Sequence, residues 1–259
     1  PPRSTLFPYT TLFRSVLMLQ VEHVSKLYGK VAALEDVSLQ IRDGECVSLI
    51  GESGSGKSTL TRLILALDKP TKGSVFWRGN DVWRIPRRSL YGDIQPVFQS
   101  NADCFNPRRK IRESLMEPMR NLLRLSAPER ERRSLELLSL VGLESSIAER
   151  YPHELSGGQR KRICIARALS VRPKLIVLDE AVSGLDITVM LRILSLLKEL
   201  QNEIGCAYLF ITHDIRAAVF MSKTIAVMKD GKIIEVAKKG SAGFSFTHPF
   251  STGLIRNSF

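Results

Sequence analysis

The chain has 259 residues, of which 44% are hydrophobic and 25% are charged. That supply of apolar side chains is enough for one large or two modest globular domains. The formal net charge of +12 is compatible with nucleotide, nucleic-acid or anionic-lipid partners, but its spread along the chain selects none of them. No run of about 18 uncharged apolar residues occurs, so we expect no segment to span a bilayer unaided.

The N-terminal residues 1–15 do not fit the pattern of the rest of the chain. They lack an initiator Met, a continuous apolar stretch and any helical or strand period. We interpret them as a non-native leader rather than a secretory signal, with Met18 as the natural start. The scattered cysteines have neither CxxC pairing nor metal-ligand spacing, which is typical of reduced thiols in a cytoplasmic protein. They are Cys46, Cys104, Cys164 and Cys206.

A glycine-rich loop follows a strand-rich opening between Leu19 and Ile50. The loop has the pattern G-x-x-x-x-G-K-[ST] and precedes an apolar stripe that predicts a helix over residues 57–68. Its glycines let backbone amides converge on phosphate oxygens, and the helix N-terminus adds its dipole. Lys57 is expected to reach the β- and γ-phosphates and Ser58 to ligate Mg²⁺. The predicted nucleotide ligands here are Gly51, Glu52, Ser53, Gly54, Ser55, Gly56, Lys57, Ser58 and Thr59.

The middle third of the chain is predicted to be helical, because Leu, Arg and Glu at helical spacing replace the strand runs there. Ser126 with Glu129 forms a capping-box pattern ahead of one helix, which Gly142 is expected to end. A second such pattern starts at Ser156 and leads into a helix. Its two glycines leave backbone amides uncovered, so this helix start is a second candidate for binding an anion.

From Lys174 onward, strands alternate with helices predicted over 187–204 and about 214–221, and Asp230-Gly231 signals a hairpin. The alternation predicts a mostly parallel sheet flanked by helices. The strand LIVLD ends in Asp179, where a Mg²⁺-binding carboxylate belongs at the carboxyl edge of such a sheet. Glu180 follows it, and we assign it as the general base for an attacking water.

The glycine-rich loop, called the P-loop, and the two acids at the end of LIVLD are typical of P-loop NTPases. The motif LSGGQ at residues 155–159, called the signature, distinguishes between the classes of these enzymes. Because of this motif and the motifs described above, residues 19–240 resemble the ABC ATPase family. The resemblance implies an α/β P-loop NTPase core with an N-terminal antiparallel β region and a helical signature subdomain. It also implies a head-to-tail dimer in which ATP lies between the P-loop of one subunit and the signature of the other. The signature residues are Ser156, Gly157, Gly158 and Gln159.

The same resemblance assigns roles to residues that carry little signal alone. Tyr28 matches the aromatic residue that stacks on adenine, and Gln99 matches the glutamine that senses Mg²⁺ and water. Asp186 belongs to the matching D-loop at the dimer contact, and His213 matches the histidine that contacts the γ-phosphate.

The sequence departs from the family pattern at two positions. Lys161 stands where a Gln is usual, and Pro96 interrupts the strand leading to Gln99. Neither departure removes a catalytic group, so ATP hydrolysis is still expected.

The resemblance also implies a domain organisation. It places a nucleotide-binding core at residues 16–100 and 171–240 and the helical subdomain at residues 101–170. Residues 241–259 would be a partial C-terminal extension, of which His248-Pro249-Phe250 resembles the start. No cysteine follows Cys206, so no iron–sulfur site is predicted.

The segment Ile94–Leu123 resembles the peptide and nickel importer branch of the family, and EPMRNLL with DEAVSGLD is closest to the nickel-import ATPases. This implies an ATPase at the cytoplasmic face of the membrane, with ATP and Mg²⁺ as cofactors and nickel or a nickel chelate as cargo. The expected partners are two transmembrane permeases, a second ATPase subunit and, indirectly, an external binding protein. A nonidentical second ATPase is expected, with a homodimer as the alternative. Dipeptides, oligopeptides and other metal chelates stay open as cargo.

Two rival functions remain from other classes. A soluble ABC ATPase of DNA repair or translation would suit the basic charge, but such proteins usually carry coiled-coil insertions or two cassettes, which this sequence lacks. A nucleotide-dependent regulator without hydrolysis is disfavoured by Glu180. We therefore expect no nucleic-acid partner.

Overall fold

The computed structural model describes residues 17–98 and 104–256. The strands are β1 (Leu17–Tyr28), β2 (Val31–Arg42), β3 (Cys46–Ile50), β4 (Lys72–Trp77), β5 (Asn80–Asp81), β6 (Ile94–Val97), β7 (Leu175–Asp179), β8 (Ala207–Thr212), β9 (Thr224–Lys229) and β10 (Lys232–Lys238). The helices are α1 (Lys57–Ile64), α2 (Arg87–Asp93), α3 (Ile111–Pro118), α4 (Ala127–Leu140), α5 (Gly157–Leu169), α6 (Ile187–Ile204), α7 (Ile215–Met221) and α8 (Pro249–Arg256). Shorter helical turns lie at Met119–Leu123, Ser145–Glu149 and Pro152–Glu154.

The strands form two sheets. The smaller sheet has the order β2-β1-β4-β5 and is antiparallel throughout, which confirms the predicted N-terminal β region. The larger sheet has the order β10-β9-β3-β8-β7-β6, in which only the β9–β10 pair is antiparallel. Together with the flanking helices, these sheets confirm the predicted α/β class.

The larger sheet is buried on both faces, which explains its apolar strand sequences. In β7, Ile176 and Leu178 pack into one hydrophobic cluster with α5, while Leu175 and Val177 pack into another with α1. Because successive side chains of a strand point to opposite faces, both sets of residues must be apolar. A smaller third cluster joins α7 and β9 to the C-terminal segment around Phe250.

The strand that precedes Gln99 in the chain differs from the prediction that Pro96 interrupts it. Pro96 does not interrupt β6 but lies within it, paired in register with Val177. The reason is that β6 is the last strand of its sheet, and an edge strand tolerates the donor that proline lacks. Gln99 itself and residues 1–15 lie outside the described residues.

The helix after the glycine-rich loop is shorter than predicted. It ends at Ile64 rather than residue 68, and Ala66 has a positive φ of 50°. The amides of Leu67 and Asp68 both donate to the Arg62 carbonyl, which closes the helix with a tight turn. Leu67 is consequently 46% exposed instead of lying on the buried stripe.

The local signals in the helical middle of the chain are confirmed. Ser126 N donates to Glu129 Oε2 at 2.9 Å, as a capping box requires. Gly142 ends α4 with a φ of 65°, and the amide of Leu143 donates back to the Leu138 carbonyl. The hairpin between β9 and β10 has positive φ at Asp230 and Gly231, as a type I′ turn needs.

In the described ranges, no helix combines the length and apolar character needed to cross a membrane.

Candidate active site

The glycine-rich loop connects the end of β3 to the start of α1, at the carboxyl edge of the larger sheet. At two positions of the loop, any side chain would clash with a neighbouring backbone. A Cβ on Gly51 would lie 2.2 Å from the Met228 carbonyl oxygen, and one on Gly56 would lie 2.8 Å from the Ala33 carbonyl oxygen. Gly56 also has a φ of 108°, which other residues rarely adopt. The backbone of the loop therefore lies in close contact with the backbones of β9 and β2.

The β9–β10 hairpin supports the loop from the side. The Gly231 amide donates to the Ser55 carbonyl at 3.0 Å, and the Gly231 carbonyl accepts from the Glu35 amide at 2.9 Å. A Cβ on Gly231 would lie 3.0 Å from the Ala33 carbonyl oxygen. The hairpin signal predicted this turn, but nothing local in the sequence indicated that it contacts the loop.

Lys57 lies at the centre of the loop. Its Nζ donates to the carbonyl oxygens of Gly51 at 2.8 Å and Glu52 at 2.6 Å, and it lies 3.3 Å from Ser55 Oγ. The residue is only 6% exposed, and this burial lowers the pKa of the ammonium. The nearby carboxylates, of which Glu180 acts most strongly, oppose that shift. The loop thus holds a cation where an incoming anion would be received.

A cavity of about 520 Å³ lies over this loop. It is lined by Val31, Ala32, Ala33, Ser53, Gly54, Gly56, Lys57, Ser58, Thr59, Glu180, Asp230 and Gly231. The sequence analysis missed the residues contributed by β2 and the hairpin, since they reach the cavity through tertiary contacts. Among the described residues, none of the signature positions 156–159 line it.

Two carboxylates follow one another at the end of β7. Burial is the main cause that raises the pKa of Asp179, the charge of Glu180 raises it further, and Lys57 opposes both. Glu180 has a positive φ of 48°, an uncommon conformation for a residue with a side chain. Its amide donates to the Ile211 carbonyl at 2.9 Å, and its carbonyl accepts from Ser183 Oγ at 3.0 Å. These bonds hold the turn that points Glu180 into the cavity.

His213 follows the neighbouring strand, β8. Its Nδ1 lies 3.5 Å from Glu180 Oε1, with the imidazole exposed and the carboxylate mostly covered. The contact arises because β7 and β8 run parallel and end together, with Asp179 paired to Ile211. A carboxylate and an imidazole therefore meet beside the loop that holds Lys57.

The signature residues form the N-terminus of α5. Ser156 Oγ accepts from the Gln159 amide at 3.2 Å, and Gln159 Oε1 accepts from the Ser156 amide at 2.9 Å, which confirms the second capping box. Gly157 is exposed. Gly158 has no room for a side chain, since a Cβ would lie 2.9 Å from Val189 Cγ1 of α6. The amide of Gln159 is thus taken by Ser156, while Gly157 and Gly158 leave the start of α5 without side chains.

The remaining predicted site residues lie outside the cavity lining. Tyr28 ends β1, where its hydroxyl donates to Asp68 Oδ2 at 2.6 Å, and this bond raises the pKa of the phenol. Arg62 donates to the same carboxylate at 2.7 Å, and Lys26 Nζ lies 4.9 Å from the centre of the Tyr28 ring. Asp186 accepts from the Val189 amide at 2.9 Å and so caps α6.

A P-loop between β3 and α1, with two carboxylates at the end of β7 on the same edge of the sheet, defines a P-loop nucleoside triphosphatase. Residues 34–183 match the family profile described as ABC transporter. The nickel import ATP-binding proteins NikE of Escherichia coli and Shigella dysenteriae are 45% identical over 212 residues, which cover 81% of this chain and 79% of theirs. The chain therefore belongs to the ABC transporter family, and it is an ATP-binding cassette ATPase.

Solved structures agree with this assignment. The ATP-binding cassette MJ0796, in a dimeric post-hydrolysis state with ADP and Pi, is 36% identical with a TM-score of 0.77, covering 85% of this chain and 98% of that one. The cassette cbiO1 from Clostridium perfringens, part of the complex cbiONQ, is 29% identical with a TM-score of 0.78, covering 85% of this chain and 88% of that one. The predicted family and fold are thus confirmed.

Proposed function

We propose that this ATPase powers the uptake of nickel or a nickel chelate through membrane permeases that it contacts at the cytoplasmic face. The similarity to the NikE proteins supports the cargo, because it extends over most of both chains. The segment Ile94–Leu123, whose pattern is shared with peptide importers, supports the wider branch. Import of a dipeptide or oligopeptide is the second candidate on that ground.

The hydrolytic mechanism rests on one observation: Glu180 lines the P-loop cavity and also meets His213 at 3.5 Å. In this mechanism the loop amides and Lys57 bind the β- and γ-phosphates. Glu180 accepts a proton from the attacking water, and His213 donates a hydrogen bond to the γ-phosphate. The left-handed turn at Glu180 aims its carboxylate toward the phosphates.

The donor set at the cavity fits a divalent cation held together with nucleotide phosphates. Asp179 and Glu180 are two carboxylates whose charges act on the ammonium of Lys57. Mg²⁺ is usually bound by one or two carboxylates, a hydroxyl and substrate phosphates. Ser58, Asp179 and Gln99 are the residues proposed to hold it. When bound, it would neutralise charge on the phosphates.

We place the signature of a second subunit over this cavity. The signature residues of the same chain are not part of the cavity lining, yet they present the bare N-terminus of α5. That helix start fits the γ-phosphate of ATP held by a partner. The similar cassette MJ0796 has a dimeric structure, which supports a dimer of this chain. In it, Tyr28 would stack on the adenine, and Asp186 would lie at the contact between the subunits.

The helical subdomain, residues 101–170, would relay the closing and opening of the dimer to the permeases. The surface from Asn106 to Pro118 is our candidate for this contact, since its sequence resembles the corresponding surface of the importer branch. Residues 16–100 and 171–240 would then act as the nucleotide-binding core. ATP binding would close the dimer, and hydrolysis would reopen it.

Uptake of radioactive nickel by cells tests the proposal. Cells lacking the gene would be complemented with the wild-type chain or with Glu180→Gln, and nickel and a labelled dipeptide would be assayed side by side. We expect nickel uptake to return only with the wild-type chain. Unchanged nickel uptake in the deleted cells, with loss of dipeptide uptake, would instead establish the peptide alternative.

A further inference from the structure

Two cysteines share the wall of a second cavity, of about 340 Å³, that lies between β6 and α5. Cys164 belongs to α5 and is buried, whereas Cys104 begins the second described range and is partly exposed. Leu65, Pro96 and Pro118 contribute to the same lining. The cavity therefore gives small molecules a path to a pair of thiols from different parts of the chain.

The two cysteines are held together by contacts from side chain and backbone. The thiol of Cys164 is hydrogen-bonded to that of Cys104. Arg167, one turn further along α5, donates to the Cys104 carbonyl at 3.0 Å and pairs with Glu117 at 3.0 Å. The backbone at Cys104 is thus anchored to α5. A disulfide joins two sulfurs at about 2.05 Å with a Cβ–S–S–Cβ dihedral of about 90°, so two thiols already in contact are a first condition for it.

A buried cation adjoins the pair. Lys161 lies on α5 one turn before Cys164, is 2% exposed and donates to the Glu180 carbonyl at 3.4 Å. The hydrogen bond with Cys104, followed by burial, raises the pKa of Cys164, while Lys161 and Arg167 lower it. The ammonium of Lys161 stabilises a thiolate when one forms.

The geometry points to a reversible redox site in which Cys104 and Cys164 are oxidised to a disulfide by a peroxide. The Cys104 thiolate attacks a peroxide oxygen of hydrogen peroxide, giving a sulfenic acid and, after protonation, one water. The Cys164 sulfur then attacks the Cys104 sulfur and displaces the hydroxyl group, which leaves as a second water with the Cys164 proton. In sum, two thiols and one hydrogen peroxide give one disulfide and two waters, and an external dithiol reverses the change.

The positions of the two residues give the disulfide a consequence for hydrolysis. Cys104 follows Gln99 by five residues, and Cys164 follows Gln159 of the signature by five residues. The bond would fix Cys104 to the helix that begins with the signature. Its formation does not depend on the proposed function, whereas its effect on turnover rests on the proposed movement of the helical subdomain.

The other two cysteines supply matched controls. Cys46 and Cys206 are buried in the core, outside the lining of this cavity, and burial raises the pKa of each thiol to about 12. Because neither lines the cavity, peroxide should not reach them as it reaches Cys104. Cys46→Ser is therefore the control for Cys104→Ser.

The test is peptide mass spectrometry of the purified chain after hydrogen peroxide treatment, with ATPase turnover measured before and after adding dithiothreitol. We expect a linked Cys104–Cys164 peptide pair, lighter by two hydrogens, in the wild type and in Cys46→Ser but not in Cys104→Ser. Because closing motions limit many turnovers, we expect turnover to fall by about fivefold on oxidation and to recover on reduction.

The proposal is overturned if Cys104 is oxidised by peroxide without any linked peptide. It is also overturned if Cys104→Ser loses as much turnover as the wild type under the same treatment. An untreated wild-type chain that hydrolyses no ATP would contradict the proposed function instead, and the linked peptide would still decide the redox site.

Discussion

His213 Nδ1 lies 3.5 Å from Glu180 Oε1, although 32 positions separate the two residues in the chain. Parallel pairing of β7 with β8 brings their ends together, and the left-handed turn at Glu180 turns its carboxylate toward the P-loop. This contact unites a proposed proton acceptor with a proposed phosphate ligand.

Replacement of Lys57 separates phosphate binding from folding. Lys57→Met removes the ammonium at the centre of the loop, so we expect ATP affinity to fall by about tenfold or more, because charge-assisted contacts to phosphate are strong. A methionine of similar length can occupy the buried position, and the folded structure should persist. Isothermal titration with ATP and circular dichroism measure the two effects. Unchanged affinity in a folded variant would contradict the proposed phosphate cradle.

We expect the buried carboxylate of Asp179 to lower the stability of the folded chain at neutral pH, although it is a proposed ligand of Mg²⁺. Its folded pKa is raised above the ordinary value, so the folded state binds a proton more tightly than the unfolded state. Stability must then fall as the pH rises through the window between the ordinary and the raised pKa. We expect Asp179→Asn to raise the melting temperature at pH 7.

The gain from Asp179→Asn should vanish at a pH below the ordinary Asp pKa, where both states are protonated. Melting curves over pH 3 to 7 in buffer without nucleotide would show this. A lower melting temperature for the variant at pH 7 would contradict the assigned direction. Hydrolysis should be lost in the same variant, because the proposed Mg²⁺ ligand is gone.

Tyr28 allows the ring and the hydroxyl to be tested separately. The hydroxyl is occupied by Asp68, so stacking on adenine would depend on the ring alone. We expect Tyr28→Phe to keep the ATP affinity within about twofold and Tyr28→Ala to weaken it by about tenfold, the scale of an aromatic contact. Fluorescent ATP titrations distinguish the two variants. Equal ATP affinities of the wild type, Tyr28→Phe and Tyr28→Ala would contradict the proposed stacking of Tyr28 on the adenine.

Gly51→Ala tests the close approach of the loop to β9. Its Cβ would lie 2.2 Å from the Met228 carbonyl, so the loop must shift, and we expect a loss of about 1–3 kcal/mol of unfolding free energy together with ATP binding. Gly92→Ala is the matched control, because nothing lies within 4 Å of its Cβ and its φ is ordinary. In helix α2 that change should be neutral or stabilising. Urea titrations would measure both, and similar results for the two variants would contradict the account.

Signals between residues close in sequence predicted much of the fold. The P-loop, both capping boxes and the type I′ hairpin follow from spacing and side-chain chemistry within a few residues, and each is confirmed. The parallel order of β7 and β8 also follows, since strands alternating with helices favour it. From these signals the ends of both strands could be placed at one edge.

The features that could not be predicted from the sequence depend on contacts between residues far apart in the chain. Beside the end of α1, the ion pair of Arg62 with Asp68 also binds Tyr28, 40 residues earlier in the chain. The tolerance of Pro96 depends on β6 lying at a sheet edge. Gly231 reaches the P-loop only through the packing of its hairpin. No local pattern encodes these long-range contacts.

The steady-state ATPase rate of Glu180→Gln tests the central claim most directly. Glutamine keeps the size and the turn but cannot accept a proton, so we expect the rate to fall by about 100-fold or more while ATP still binds. His213→Ala should lose less, because it removes a hydrogen bond rather than the base. A Glu180→Gln protein that hydrolyses ATP at the wild-type rate would contradict the assignment of Glu180 as the general base.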